Sequence, residues 1–254
     1  MKTEVLFGVH AVQEALAAGR REIIELCADR RQTAAGRLQS ILAAAEVRGV
    51  AVRPVDAAQL VSMAGASGHQ GVAARVSAYE LCNFGDVLDV AGRPGAGLVL
   101  ALDQIVDPHN LGAVLRTALC AGVDAVLVPK DRSAPPTPAV SKISAGALEH
   151  IRLVRVTNLV RALQQLKDRG RWIAGLDGSA TQNIFNADLT VPMVLVVGGE
   201  GRGMRPLVHR TCDLILSIPQ RGPLDSLNAS VAAGIALFEI RRQQDAARRP
   251  AAEG

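Results

Sequence analysis

From Leu98 onward, short apolar runs alternate with amphipathic segments, and this alternation limits the fold more than any other feature. In runs such as Leu98–Leu102 and Val194–Val197, polar residues do not alternate with apolar ones, which is typical of strands buried on both faces. The predicted elements are strands Leu98–Leu102, Ala125–Val128, Arg152–Val156, Trp172–Gly175, Val194–Val197 and Leu214–Ile218, and helices Leu111–Ala121, Ala139–Ala145, Leu159–Arg169, Met204–Arg210 and Leu227–Arg242. This order predicts an α/β domain with a parallel sheet, whose ligands bind beyond the carboxyl ends of the strands.

The rest of the chain predicts a second, smaller α/β domain over residues 1–76. Its predicted elements are helices Gly8–Ala18 and Ala34–Arg48 and strands Glu22–Cys27, Val50–Val55 and Gly71–Val76. Residues 77–97 carry acids, Gly and Pro with weak periodicity, which is typical of a linker with at most a helical turn. The larger domain then spans 98–242, and we expect the tail, 243–254, to be disordered.

Composition narrows the class of protein without fixing it. Of the 254 residues, 49% are hydrophobic, enough for a substantial core, but only 2% are aromatic, which disfavours base stacking as a main mode of nucleic-acid binding. A net charge of +4 is compatible with a nucleic-acid partner and does not require one. The arginines in the predicted elements and loops of the smaller domain include Arg20, Arg21, Arg30, Arg31, Arg37, Arg48 and Arg53. They form either an ordinary solvated surface or an RNA-binding patch, and the sequence alone favours the solvated surface.

The four cysteines lie far apart and form no CxxC pair, so free thiols in a reducing compartment are expected rather than a zinc site or disulfides. No apolar run is long enough for a signal peptide or a membrane span. These features predict a soluble, cytoplasmic protein.

A glycine-dense turn, Gly198–Met204, follows the strand Val194–Val197. Glycine allows positive φ and lets a ligand approach the backbone closely, so the turn indicates a binding site. A dinucleotide-binding loop is excluded, because that motif opens the first βαβ unit, and here Pro206 interrupts the helix that follows. Glu200 also argues against a phosphate cradle. The sequence contains no Walker lysine pattern and no G-x-S-x-G nucleophile turn.

Two further loops carry polar residues at predicted strand ends. In the first, a helix opens near Asn110, which is either its cap or a functional residue. Arg116 follows in an apolar helix, where an unexposed arginine needs a partner, and the two side chains could converge above the sheet. That partner could be a salt bridge, a phosphate or a reacting oxygen.

In the other loop, 218–230, Ser226 is the expected N-cap of the last helix, and Asn228 lies inside its first turn. Asn is a poor helix former, so Asn228 has either a function or a capping role. Asp103, Asp107 and Glu200 could in principle collect a metal, but their Pro, Gly and Arg neighbours make a metal site unlikely.

These three segments, in this order, resemble the SpoU (TrmH-like) family of RNA ribose 2′-O-methyltransferases in the SPOUT superfamily. The matching motifs are DPHNLGAVLRTA, VVGGEGRGM and IPQRGPLDSLNASVAAGIALFE. GVHAVQEAL, HQGVAARV and VPKDRSAPPTPAVSKISAGALE resemble one branch of the family. That branch includes the bacterial enzyme that methylates a guanosine ribose in the peptidyl-transferase P loop of 23S rRNA.

The resemblance implies a SPOUT-type parallel sheet with a C-terminal trefoil knot and a small N-terminal, ribosomal-protein-like (L30e/L7Ae-like) RNA-binding domain. It implies S-adenosylmethionine as the cofactor. By resemblance the cofactor-binding residues are Gly198, Gly199, Gly203, Ile218, Pro219 and Leu227, and the catalytic residues are Arg116, Asn110, Glu200, Ser226 and Asn228.

The implied chemistry is attack of a ribose 2′-oxygen on a sulfonium methyl group, which needs alignment and stabilisation of the developing charge. The family's arginine is often described as a general base, but the very high pKa of arginine makes that role costly. We therefore expect Arg116 to bind a phosphate and stabilise the alkoxide. We expect Glu200 to hold Asn or Arg side chains in place.

The stretch Gln220–Asp225 is bulkier and more charged than expected for the rRNA branch, so a tRNA or a different rRNA ribose remains an alternative substrate. Family members form homodimers through the last helix, whose apolar residues would equally suit a core within one chain. A different class of function is a non-catalytic RNA-binding or assembly factor. The presence of Asn110, Arg116, Glu200 and Asn228 argues against that class.

Overall fold

A computed structural model describes residues 2–32, 36–91, 97–223 and 226–248 of the chain. Its strands are β1 (Thr3–Phe7), β2 (Ile23–Asp29), β3 (Val52–Val55), β4 (Val72–Ser77), β5 (Leu98–Asp103), β6 (Ala125–Pro129), β7 (Leu153–Val156), β8 (Trp172–Leu176), β9 (Gln182–Asn183), β10 (Met193–Gly198) and β11 (Leu214–Ser217). Its helices are α1 (Val9–Ala18), α2 (Gly36–Val47), α3 (Ala57–Ala64), α4 (Phe84–Ala91), α5 (Pro108–Cys120), α6 (Pro138–Ile143), α7 (Leu159–Lys167), α8 (Pro206–Thr211) and α9 (Ala229–Arg248).

The chain divides into two units. The smaller unit comprises Met1–Glu80 and Pro135–His150, and the larger unit comprises Leu81–Ala134 and Ile151–Gly254. The segment Pro135–His150, which contains α6, therefore groups with the N-terminal part of the chain, although it interrupts the α/β alternation of the larger unit.

The larger unit contains a seven-stranded sheet in the order β7-β6-β5-β10-β8-β11-β9, and every pairing in it is parallel. All of β5 is buried, as is β10 from Met193 to Val197. Such strands read as continuous apolar runs because neither face meets water. The predicted parallel α/β sheet is confirmed.

Several predicted boundaries differ from those observed. Within the predicted linker, Phe84–Ala91 forms α4, whose Val87 is buried in the core of the larger unit. The last helix begins at Ala229 and continues to Arg248, six residues into the tail that was expected to be disordered. The start of the predicted helix Ala34–Arg48, part of the linker, and residues 249–254 lie outside the described residues.

The smaller unit is built on a four-stranded mixed sheet in the order β1-β4-β2-β3, in which only β2 and β3 are parallel. Helices α1 and α2 cover one face over a core that includes Leu16, Leu26 and Ile41. Helix α3 covers part of the other face over Cys27, Val55 and Leu60. The strand β1 and the helix α3 were not predicted.

A buried ion pair joins Pro135–His150 to the rest of the smaller unit. Arg21 Nε donates to Glu149 at 2.8 Å, and its Nη1 donates to Glu4 at 2.6 Å. The Ser141 hydroxyl donates to the same Glu149 carboxylate at 2.7 Å. Arg21 and Glu149 are almost fully buried, so Arg21 belongs neither to a solvated surface nor to an RNA-facing patch.

At the end of β10, Gly198 and Gly199 lie against other backbone segments of the larger unit. A Cβ on Gly199 would overlap the Gln104 carbonyl, and a Cβ on Gly198 would overlap the backbone of Gly203 and Met204. The Gly203 amide donates to the Gly199 carbonyl at 3.0 Å, with φ of 61° at Gly203. The glycines of the turn were expected to allow close approach of a ligand. At Gly198 and Gly199, the absence of a side chain instead allows close approach of other backbone segments of the chain.

We predict that Gly199→Ala lowers the free energy of unfolding by about 1–3 kcal/mol, the usual cost of overpacking. The matched control is Gly85→Ala in α4, because an added Cβ there meets no atom of the described residues within 4 Å. Replacing a helical glycine with alanine should instead stabilise by about 0.5–1 kcal/mol. Urea denaturation of both variants measures the difference, and a Gly199→Ala protein as stable as the wild type would contradict the packing argument.

Candidate active site

The polar loops of the larger unit meet at the carboxyl ends of its parallel strands. A cavity of about 620 Å³ opens there, within the size range of small-molecule sites. Its walls come from the ends of β8, β10 and β11 and from the start of α9. The lining residues are Leu176, Asp177, Gly178, Val197, Gly198, Gly199, Glu200, Gly201, Gly203, Leu216, Ile218, Gln220, Ser226, Leu227, Asn228, Ala229 and Ala232.

One side-chain amide joins the three motif loops. Asn228 Nδ2 donates to Asn110 Oδ1 at 2.9 Å and to Glu200 Oε1 at 2.5 Å. The structure thus brings together Asn110, Glu200 and Asn228, which are far apart in sequence. Glu200 contacts an asparagine side chain, as expected, through Oε1, and a carboxylate has a second oxygen that can accept from a ligand. We call these three residues the amide cluster.

The same side chain caps α9. Asn228 Oδ1 accepts hydrogen bonds from the Ser230 amide at 2.9 Å and from the Ser230 hydroxyl at 2.6 Å. Asn228 therefore precedes the helix instead of lying in its first turn, and the expectation that Ser226 is the N-cap is wrong. Ser226 is exposed and lines the cavity two residues earlier.

Asn110 does not cap α5. Asp107 does, because its carboxylate accepts a hydrogen bond from the His109 amide at 2.9 Å and Pro108 occupies the first helical position. Asn110 lies in the first turn, where its side chain is free to accept from Asn228.

Arg116 is exposed on α5, six residues beyond Asn110. At about 100° per residue, that spacing places the two side chains on different faces of the helix. Among the described residues, Arg116 forms no hydrogen bond or ion pair, so the expected convergence with Asn110 is not found and a salt bridge does not explain Arg116.

The three carboxylates considered for a metal have separate partners. Asp103 is fully buried and accepts from the Arg205 amide and Nε, each at 2.8 Å. Asp107 caps α5, and Glu200 belongs to the amide cluster. In the described part of the chain, no group of three His, Cys, Asp or Glu side chains is placed to hold a metal ion.

Of the residues expected to bind the cofactor, Gly198, Gly199, Gly203, Ile218 and Leu227 line the cavity. Pro219 does not contribute to its described walls, and Leu224 and Asp225 of the same loop lie outside the described residues.

Asp177 was missed, although its place after the apolar run of β8 could have indicated it. The Ser179 hydroxyl and amide donate to its Oδ1 at 2.7 and 2.9 Å and hold the pKa of this carboxyl below its usual value.

Family models match both parts of the chain. The model of the SpoU rRNA Methylase family matches residues 97–238, and the model for RNA 2′-O ribose methyltransferase substrate binding matches residues 5–82. The first model alone covers more than half of the chain.

Relatives match over nearly the whole length. A protein of Vibrio parahaemolyticus, named 23S rRNA (guanosine-2′-O-)-methyltransferase RlmB, is 44% identical over 98% of this chain and 100% of its own. A Ralstonia nicotianae protein of the same name is 45% identical over 96% and 97%.

Solved structures share the fold. The crystal structure of an RNA 2′-O ribose methyltransferase aligns with a TM-score of 0.79 at 25% identity, covering 95% of this chain and 89% of that one. An AdoMet-bound rRNA methyltransferase from Sinorhizobium meliloti aligns with a TM-score of 0.76 at 25% identity, covering 94% and 87%.

We predict that Asn228→Asp and Asn228→Ala destabilise the chain for different reasons. Alanine removes the cap, which costs about 1 kcal/mol at any pH. Aspartate keeps the cap oxygen but replaces the donor to Glu200 with a second carboxylate, so like charges repel when both are ionised. Its deficit should be largest at neutral pH and should shrink as acidification protonates either carboxyl.

Thermal unfolding of the wild type and both variants between about pH 4 and pH 7 measures this difference, since free carboxyls titrate near pH 4. A deficit of Asn228→Asp that does not change with pH would show that Asn228 and Glu200 are not in contact.

Proposed function

This chain belongs to the SpoU rRNA methylase family, and we propose that it methylates the ribose 2′-hydroxyl of a guanosine in 23S rRNA, with S-adenosylmethionine as the donor. The observation that carries this function is the end-to-end similarity to relatives named for that reaction, at 42–45% identity. Both the methylase model and the substrate-binding model match the chain, which supports the same proposal.

The finer substrate that we propose is a guanosine in the peptidyl-transferase P loop, during ribosome biogenesis. The resemblance of residues 128–149 to the branch with that target supports it. A tRNA or another rRNA ribose is the alternative, and methylation mapping separates them. An enzyme that methylates ribosomal RNA would act in the cytoplasm. No described helix is long and apolar enough to cross a membrane.

The cavity fits S-adenosylmethionine in size and chemistry. Leu176, Leu216 and Ile218 supply apolar walls for a flat base, and exposed backbone at the glycine turn supplies hydrogen-bonding groups. Asp177 and Glu200 offer carboxylates to a cofactor that carries positive charge and hydroxyl groups. Bound there, the cofactor supplies an electrophilic methyl group on sulfur.

The amide cluster would position the acceptor ribose. Asn228 has both amide hydrogens committed to Asn110 and Glu200, which fixes the direction of the Glu200 carboxylate at the cavity wall. A fixed carboxylate can orient the 2′-hydroxyl and accept its proton as the oxygen attacks. Arg116 has no acceptor among the described residues and does not converge with Asn110 along α5. With the RNA bound, its long side chain would hold a phosphate and stabilise negative charge on the ribose oxygen.

The proposal extends to domains and assembly. We assign RNA binding to residues 1–76 and methyl transfer to 98–242, joined by 77–97, of which α4 packs into the core of the larger unit. The family's trefoil knot would be formed by the loops around the cavity. We also assign a homodimer in which a second copy covers α9. Val231 and Phe238, one heptad apart on α9, are about half exposed, and Ile235 lies between them on the same face.

Deleting the gene should remove one ribose methyl group from 23S rRNA and leave tRNA methylation unchanged. Mapping 2′-O-methyl sites in rRNA and tRNA of the deletion strain and its parent measures this. Loss of a tRNA methyl group would establish the alternative substrate. If no ribose loses its methyl group and calorimetry detects no S-adenosylmethionine binding, the chain is a non-catalytic RNA-binding factor.

Arg116→Lys should lower the methyl-transfer rate about 100-fold, the scale of losing one donor to a developing oxyanion, because lysine keeps the charge but loses the planar fork. Cofactor affinity should not change. If Arg116 stabilises charge, the rate of the Arg116→Lys variant should depend on pH as the wild-type rate does. If Arg116 is a general base, the pH–rate profile of the variant should be shifted. Near-full activity of Arg116→Lys would rule out a role for the guanidinium.

A further inference from the structure

Two members of the amide cluster, Glu200 and Asn228, line the cofactor cavity, whose other walls extend along the sheet edge away from Asn110. Cavity walls come from β10, β8 and β11, which follow one another in the sheet. In the opposite direction β10 is followed by β5, whose loop leads to Asn110 in the first turn of α5, and then by β6. We take an acceptor strand that meets the cofactor at the cluster to pass over the loops that follow β5 and β6, on the side away from the cavity.

The turn after β6 presents two exposed cations, Lys130 and Arg132. Neither side chain has a hydrogen-bond or ion-pair partner among the residues that the structure describes. Many basic side chains elsewhere in the larger unit are held: Lys167 by Asp213, Arg205 by Asp103, Arg242 by Glu239, and Arg171 and Arg241 by backbone carbonyls.

The backbone of this turn is firmly held. The Lys130 amide donates to the Val156 carbonyl at 2.8 Å, and the buried Ala134 amide donates to the Ile105 carbonyl at 2.8 Å. Arg155 Nη2 also donates to the Lys130 carbonyl. The turn is thereby joined to β7 on one side and to the loop that leads to Asn110 on the other.

Arg132 occupies a position that suits glycine better. Its φ is 56°, in the left-handed region that most residues avoid. Local strain of this kind persists where the surroundings enforce it and is often found at functional sites. Here the result is a long cationic side chain at the exposed tip of a pinned turn.

We propose that Lys130 and Arg132 bind backbone phosphates of the substrate RNA next to the methylated nucleotide. Neighbouring strands lie about 4.8 Å apart, so β6 is about 10 Å from β10, within reach of a flanking nucleotide and an extended side chain. Phosphate contacts position an RNA without reading its sequence, which suits a turn that carries no aromatic side chain. This inference rests on the proposed function, because it takes the ligand to be the RNA substrate.

The test uses the full chain, a 23S rRNA transcript and four variants. Lys130→Ala and Arg132→Ala should each weaken RNA binding several-fold, raise KM for RNA and leave kcat at saturating RNA unchanged. Each should reduce the slope of log affinity against log salt by about 1, the change expected per lost phosphate contact. Asp131→Asn, which removes the acid between them, should strengthen binding.

Arg152→Ala is the matched control, since Arg152 is also exposed but precedes β7, at the amino end of the strands. It should behave as the wild type. The affinity of all variants for S-adenosylhomocysteine should be unchanged in calorimetry.

Equal effects of Arg132→Ala and Arg152→Ala, or unchanged salt slopes, would overturn the inference while wild-type methyl transfer upholds the proposed function. A wild-type chain that transfers no methyl group to any RNA would instead overturn the function.

Discussion

The candidate active site depends on close packing between backbone segments at the end of β10, where no side chain could fit between them. Gly199 faces the Gln104 carbonyl, and Gly198 faces the backbone of Gly203 and Met204, at distances that a Cβ would not allow. This contact sets the end of β10 directly against the loop that leaves β5. Glu200, the next residue, is thereby carried toward Asn110 and Asn228.

A buried charge supports the same arrangement. Asp103, the last residue of β5, accepts from both the amide and the guanidinium of Arg205, at the start of α8. A fully buried carboxylate is costly unless such partners satisfy it. The strand pairing of Gly198 with Asp103 holds one end of the glycine turn beside β5, and the contact of Asp103 with Arg205 holds the other. These contacts, together with the cap that Asn228 supplies to α9, position the side chains of the amide cluster.

The parallel sheet and the grouping of three distant motifs could be predicted from sequence, because strands buried on both faces read as apolar runs and their loops must share one edge. The helix caps could not. Asp107 and Asn110, like Ser226 and Asn228, are competent capping residues a few positions apart, and tertiary contacts decide which one caps. Local pattern also missed the burial of Arg21, because its partner Glu149 lies 128 residues away.

The central claim is that one cavity at the carboxyl edge holds the methyl donor beside the amide cluster. A crystal structure of the chain with S-adenosylhomocysteine tests it most directly. Our account predicts density for the ligand among Gly198, Ile218 and Leu227, with its sulfur directed toward Asn228 and Glu200. Ligand density elsewhere on the chain, or a sulfur directed away from this cluster, would contradict the account.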